Sequence, residues 1–331
     1  MRMIAGVTVL SFAVILSGCQ AIENTAFRYM SFDSFESGEV RNAREYKKAG
    51  NPVESPEGPY LSFFALGCAG SGNEGQRIVA DSMAVTAKRY RTDFVLYLGD
   101  NFYGRGVRST EDSQWKGKFE DIYKQDSLQI PFNAVLGNHD YYENPEAQVE
   151  YTKQSGRWHM PARYYSFEHQ IPEGKSVEFF ALDTTALLYG RADDQLAWFM
   201  EKLESSRAHW KIVYGHHPVY SGAYNRDKEL RKMENILVPL LHKYRVDLYV
   251  SAHNHNVELF RNVEDVYYIV SGAGSRPRNV AWVDNASFAG AELGFVWLRA
   301  FDSKIEVHVM GSEGKIIFAD EILKEVKAGT L

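Results

Sequence analysis

Cysteine is almost missing from this chain: 331 residues contain two, Cys19 and Cys68. A scaffold stapled by several disulfides is excluded, and one bridge, Cys19–Cys68, is the most that could form. An excess of basic charge is missing too. Lys and Arg number 37 against 43 Asp and Glu, for a net charge of −6 and a pI near 6.0. That balance lacks the electrostatic footprint of a nucleic-acid binder, so no nucleic-acid partner is expected. The apolar stretch from Met3 to Leu16 is short of the roughly 20 residues a spanning helix needs. There is no internal repeat. What is present is ordinary globular composition, 45% hydrophobic and 24% charged, with 14% aromatic residues that suit a core and sheet surfaces. The length fits one large domain with tails.

The N-terminus has a basic residue, Arg2, then the short apolar stretch, in the order of a signal peptide. Leu16-Ser17-Gly18-Cys19 resembles the lipobox of bacterial lipoproteins. The resemblance implies that residues 1–18 are removed and that Cys19 carries the lipid. A plain secretory signal and an uncleaved anchor are the alternatives. Gln20 stands where an aspartate would resemble an inner-membrane retention signal, so the expected place is the cell envelope, on the outer membrane or in the periplasm. A lipidated Cys19 leaves Cys68 without a partner in the chain. Residues 19–58 are polar and end in Pro52, Pro56, Gly58 and Pro59. They read as a tether with at most one short helix over Val40–Lys48. The folded domain is expected over residues 59–325.

Within it, Leu61–Leu66, Asp93–Leu98, Phe132–Leu136, Val177–Leu182, Trp210–Tyr214, Val246–Val250 and Val266–Val270 read as strands. Glu74–Tyr90, Trp115–Tyr123, Gln195–Leu203 and Glu234–Tyr244 have helical spacing. Phe295–Ala300, Lys304–Met310 and Lys315–Phe318 alternate as antiparallel strands do. Early β-α-β alternation followed by antiparallel strands predicts an α/β fold, a two-sheet α/β/β/α sandwich.

Four polar clusters each follow one of these strands: Gly99-Asp100-Asn101-Phe102-Tyr103, Gly137-Asn138-His139-Asp140, Gly215-His216-His217-Pro218 and Ala252-His253-Asn254-His255. Strand ends on one edge of a parallel sheet converge, and ligands bind there. The residue types are those of a metal centre. Asp100 is a carboxylate that can bridge two cations, Asn138 offers a carbonyl oxygen, and His216, His253 and His255 offer imidazole nitrogens. Tyr103 offers a phenolate, a hard anionic ligand suited to ferric iron. Two cations about 3.5–4 Å apart can clamp an in-line displacement and lower the pKa of a bound water.

In this order the clusters reproduce the pattern of the metallophosphoesterases. Gly-Asp-Asn-Phe-Tyr, Met160-Pro161-Ala162-Arg163-Tyr164-Tyr165, Leu182-Asp183-Thr184, Gln195-Leu196-Ala197-Trp198 and Ser271-Gly272-Ala273-Gly274 extend the match. Over roughly residues 60–275 the chain resembles the purple acid phosphatases of the small, tartrate-resistant type. The resemblance implies a phosphoric ester hydrolase with two metal ions, iron paired with iron, zinc or manganese. By that match Asp100 bridges them, Tyr103 and His255 hold the ferric position, and Asn138, His216 and His253 hold the divalent one. His139 lies beside the substrate as charge stabiliser or proton donor, or else orients a ligand. His217 is expected to support its loop. Phosphomonoesters, small or on phosphoproteins, are the implied substrates, attacked by metal-bound hydroxide, and a monomer is expected.

Two departures stand out. The family's first motif is Gly-Asp-x-Gly, and this chain has Gly67-Cys68-Ala69-Gly70. A thiolate keeps the charge but is softer. Cys68 can be a ligand favouring ferrous iron or zinc, a bystander to a weak first site, or the mark of a degenerate one. Glu74 could in principle reach in. The family also carries a histidine about nine residues after Gly-His, where this chain has Asn225. Two alternatives to a phosphomonoesterase follow: a phosphodiesterase or nucleotide pyrophosphatase on the same scaffold, and a metal-binding lipoprotein without activity.

Overall fold

A computed structural model describes residues 58–324 apart from 173, 191, 225 and 264, and leaves the side chain of 262 undescribed. The expected signal peptide, Cys19, the expected tether with its short helix over Val40–Lys48, and Asn225 lie outside the described residues. Fourteen strands form two seven-stranded mixed sheets. One runs β14-β13-β12-β1-β2-β3-β4 and the other β11-β9-β10-β8-β7-β6-β5. In chain order the first sheet holds β1 (Leu61–Leu66), β2 (Phe94–Tyr97), β3 (Phe132–Ala134), β4 (Trp158–His159), β12 (Phe295–Ala300), β13 (Lys304–Met310) and β14 (Ile316–Leu323). The second holds β5 (Tyr165–Gln170), β6 (Ser176–Ala181), β7 (Trp210–Tyr214), β8 (Leu248–Ser251), β9 (Val257–Val263), β10 (Val266–Ser271) and β11 (Ala286–Gly290). β1–β4 are mutually parallel, as are β6, β7, β8 and β10.

The central strands are buried on both faces, which is why they read as unbroken apolar runs. Between the sheets lies an aromatic core. Phe63, Phe94, Phe167 and Phe179 stack or meet edge to face at 4.9–5.8 Å. A second apolar cluster, with Phe199, Leu203, Met233, Leu237 and Leu241, lies under the helices of the second sheet. The helices are α1 (Glu74–Arg89), α2 (Glu146–Tyr151), α3 (Thr184–Leu188), α4 (Asp193–Ser205) and α5 (Asp227–Lys243). Asn73 caps α1, its side chain accepting the Gln76 amide at 3.0 Å.

Trp115–Tyr123 is not an α-helix. It holds a π-helical turn, Lys116–Glu120, in which the Asp121 amide donates to the Lys116 carbonyl at 2.9 Å. The apolar spacing there serves burial of Phe119, Ile122 and Tyr123 rather than a longer helix. α5 begins seven residues before the expected Glu234, because its polar first turn gives no apolar signal.

Candidate metal centre

Every predicted ligand sits just past the C-terminal end of a parallel strand, where backbone ladders end and side chains are free to turn inward. Three of them have left-handed backbones: Cys68 (φ 52°), Asp100 (φ 54°) and His253 (φ 60°). Non-glycine residues avoid that region, and such strain gathers at functional sites. The glycines make room. A Cβ on Gly99 would stand 2.7 Å from the His216 ring, and one on Gly137 would collide with the Asp100 carboxylate.

The donors fall into two sets sharing Asp100. In the first, the ligand atoms of Cys68, Asp100 and His255 all lie within 4.8 Å of one another. The Tyr103 hydroxyl is 3.0 Å from His255 Nε2. In the second, His216 Nε2 lies 3.4 Å from Asp100 Oδ1, 3.2 Å from Asn138 Oδ1 and 3.1 Å from His253 Nδ1. All seven predicted ligands therefore meet. Glu74 does not join them; it is exposed in the first turn of α1.

The partners on the far side of each imidazole set the tautomer. His216 Nδ1 donates to the Leu98 carbonyl at 2.8 Å, and His255 Nδ1 to the Arg276 carbonyl at 2.9 Å. His253 Nε2 donates to the Glu229 carboxylate at 3.2 Å, which Arg226 engages at the same distance. The inward nitrogens are thereby aimed at the other donors, and, against burial, the Asp100 carboxylate raises the His216 pKa. In the second set these nitrogens face a carboxylate oxygen and an amide oxygen. Lone pairs converging on one another in a buried space repel unless a cation lies among them, so the donor set fits a pair of metal ions.

The charge states agree. Burial opposes ionisation of Asp100, but the imidazoles of His216, His139 and His253 outweigh it and hold its carboxyl well below the usual range. Burial, with the Arg226 guanidinium and His216, keeps His253 neutral far below its ordinary pKa. Burial and Arg278 bring His255 down to about 4. Burial and the Asp100 charge push the Cys68 thiol well up, and burial does the same to the Tyr103 phenol.

His139 opens the turn after Asn138. Its amide donates to Asp100 Oδ1 at 3.0 Å, and its ring meets Tyr103 edge-on at 4.8 Å. His217 stands beside the second set, a ring nitrogen within 4.8 Å of those of His216 and His253, and is held from behind: Thr184 Oγ1 accepts the His216 and His217 amides at 3.1 and 2.9 Å and lies 2.9 Å from His217 Nδ1. With both oxygen lone pairs taken, the hydroxyl proton goes to Nδ1, so His217 ties its loop to α3. Asp140 accepts the amides of Gly137, Asn101 and Phe102 and knits the second cluster to the first.

Glu229, Thr184 and Asp140 had no ligand reading in the sequence. Asp140 follows His139 within its motif, which was its one signal. Glu229 is 24 residues from the histidine it orients and carries none.

A two-sheet α/β sandwich with a dinuclear donor set at its strand ends defines a metallophosphoesterase. The calcineurin-like phosphoesterase family matches residues 75–257, and the chain belongs to it. It is 31% identical over 305 residues to tartrate-resistant acid phosphatase type 5 of Sus scrofa, covering 82% of this chain and 89% of the relative. It is 30% identical over 270 residues to purple acid phosphatase 17 of Arabidopsis thaliana, covering 75% and 76%. Among solved structures, GAP50, the anchor in the inner membrane complex of Plasmodium, superposes with a TM-score of 0.75 at 26% identity, covering 82% of this chain and 91% of that one.

Proposed function

We propose that this protein hydrolyses phosphomonoesters at a dinuclear metal centre. The observation that carries the reading is the pair of donor sets joined at Asp100, with one nitrogen of each imidazole turned inward by the outer partner of the other. Bound there, two cations supply a nucleophilic oxygen near neutral pH and offset the charge of the phosphoryl group. The chain's own residues do the rest. Cys68, Asp100, Tyr103 and His255 would hold one ion, and Asp100, Asn138, His216 and His253 the other. His139, at the rim beside Tyr103, is placed to donate a proton to the leaving oxygen. The test is para-nitrophenyl phosphate hydrolysis by the purified protein beside its metal content. A folded protein carrying two metals per chain yet inert on this ester and on other monoesters would overturn the reading. Hydrolysis of bis-esters in preference to monoesters would favour a phosphodiesterase instead.

The metal pair follows from the ligands. Tyr103 suits ferric iron, and Cys68 draws the same position toward ferrous iron or zinc; the partner ion is iron, zinc or manganese. One structural relative is described as an anchor rather than an enzyme, and Cys68 is a departure from the family's aspartate. The six other ligands kept in register support catalysis over a purely binding role.

The N-terminal motif supports a lipoprotein held at the cell envelope through Cys19, working as a monomer on phosphorylated small molecules or phosphoproteins. Mass spectrometry of an unmodified Cys19 would end that part of the reading.

A further inference from the structure

A cavity of about 760 Å³ lies at the pole opposite the metal centre. The starts of β7, β8 and β10, the C-terminal turn of α5 and the end of β14 line it, whereas the metal ligands follow the other ends of β7 and β8. Its floor is apolar: Leu241, Val246, Val266 and Ile322 are buried, and Leu323 is 59% exposed beside them. Its rim is basic, with Lys211, Lys243, Arg245 and Lys324 against Asp247 and Asp265. Lys324 satisfies Asp247 at 2.6 Å. Lys211 donates to the carbonyls of Leu203 and Tyr244, and Lys243 to the Tyr244 hydroxyl. Those acceptors are neutral and leave the lysine charge in place. A local basic excess on a chain of net charge −6 is a polarised surface.

The described chain also begins at this pole. Tyr60 packs on Phe301 at 5.5 Å; the Phe301 carbonyl accepts Trp210 Nε1 at 2.7 Å; Lys324 Nζ lies 4.5 Å over the Trp210 ring.

We propose that this cavity takes the phosphate head and upper acyl chain of an anionic membrane lipid, so that the molecule rests on a bilayer by this pole with its metal centre turned away. Cations at the rim meet the phosphate, and Leu323 with the apolar floor meets the chain; a free anionic ligand would use only the rim, and a zwitterionic head would bring its own ammonium against the rim's cations. The proposal holds with or without a lipid on Cys19.

The test is co-sedimentation of protein begun at Gln20, which keeps every described residue and removes any lipid, with vesicles of phosphatidylcholine alone or mixed with phosphatidylglycerol. Binding to the anionic vesicles should be at least about tenfold tighter and weaken with salt. The Lys243→Glu/Arg245→Glu pair should lower it about tenfold. Leu323→Ala should lower it by a smaller factor. An equal charge change elsewhere, Lys116→Glu/Lys315→Glu, should have a markedly smaller effect. Equal binding to both vesicles, or an equal loss in both charge pairs, would overturn the proposal. So would competition by millimolar inorganic phosphate, which would assign the cavity to a free anion. Should the first pair fail to fold, Leu323→Ala and the salt dependence still decide.

Discussion

The two halves of the metal centre share Asp100 and differ in what they must give up to bind an ion. The second set has less to give up. His253 is neutral with its inward nitrogen bare, Asn138 never carried a proton to lose, and only His216, whose pKa the Asp100 carboxylate raises against burial, has a proton to release. The first set has more. Cys68 and Tyr103 are both buried protonated, their pKa values pushed up, and an ion must displace two protons to use them. One half is assembled by outer hydrogen bonds and the other by the ion itself. The lesson is that similar geometry conceals different pH dependences.

The sharpest way to break the comparison is to remove what both halves share. Asp100→Asn should lower kcat by at least roughly a hundredfold, because each ion loses its anionic bridge. Metal content and para-nitrophenyl phosphate kinetics measured together decide it: near-normal turnover in a folded, metal-loaded variant is the contrary result.

Next, proton competition should separate the halves. Affinity of the first set should climb steeply with pH, by up to about a hundredfold per unit where two protons leave, while the second climbs by at most about tenfold per unit, where His216 alone releases one. Chelator competition across roughly pH 6 to 8 reads this directly. Parallel pH slopes for the two ions would show that Cys68 and Tyr103 do not both ionise on binding.

The outer partner of the second half should matter about tenfold. Glu229→Gln keeps shape but weakens the hydrogen bond that fixes His253, so second-site affinity should drop about tenfold with the first unchanged. Loss of both ions together, or of neither, counts against the assignment.

Cys68→Asp should draw the first half back toward a hard site and bring out the Tyr103–ferric absorption band, with a milder change in rate. Identical spectra and metal content in wild type and variant would mean that position 68 does not touch the ion.

The last effect lies away from both halves and is read in stability rather than in turnover or metal affinity. Glu258 is buried, accepts the Gly222 amide at 2.7 Å and the Ser221 hydroxyl, and has a pKa raised to about 7 by burial. A raised carboxyl favours the folded state only while protonated. Stability should therefore fall as pH rises from the ordinary glutamate range to about 7, by at most about 3 kcal/mol, and level off above. Glu258→Gln should flatten that slope in thermal unfolding; an unchanged slope would place the titration elsewhere.

Much of this was legible in the chain. The strands β1 and β7 run over the residues their apolar runs marked, because strands buried on both faces must be continuously apolar. Four polar clusters after such strands named the ligands, since parallel strand ends converge whatever the loops do. β4, β5, β9 and β11 escaped notice, β4 being only two residues long. β5 and β11 alternate weakly or are short, and β9 follows directly on His255 with Glu258 and Arg261 inside it.

By itself the sequence determined which atoms could bind metal and on which edge of a sheet they would gather, because residue type and strand periodicity are local properties. Only the tertiary structure decided which nitrogen of each imidazole faces inward, that Glu229 and Thr184 orient the histidines, and that a basic, apolar-floored cavity sits at the opposite pole. Those depend on contacts between segments tens to more than a hundred residues apart, such as Leu98 with His216 and Trp210 with Lys324, and distance along a chain carries no record of distance in space.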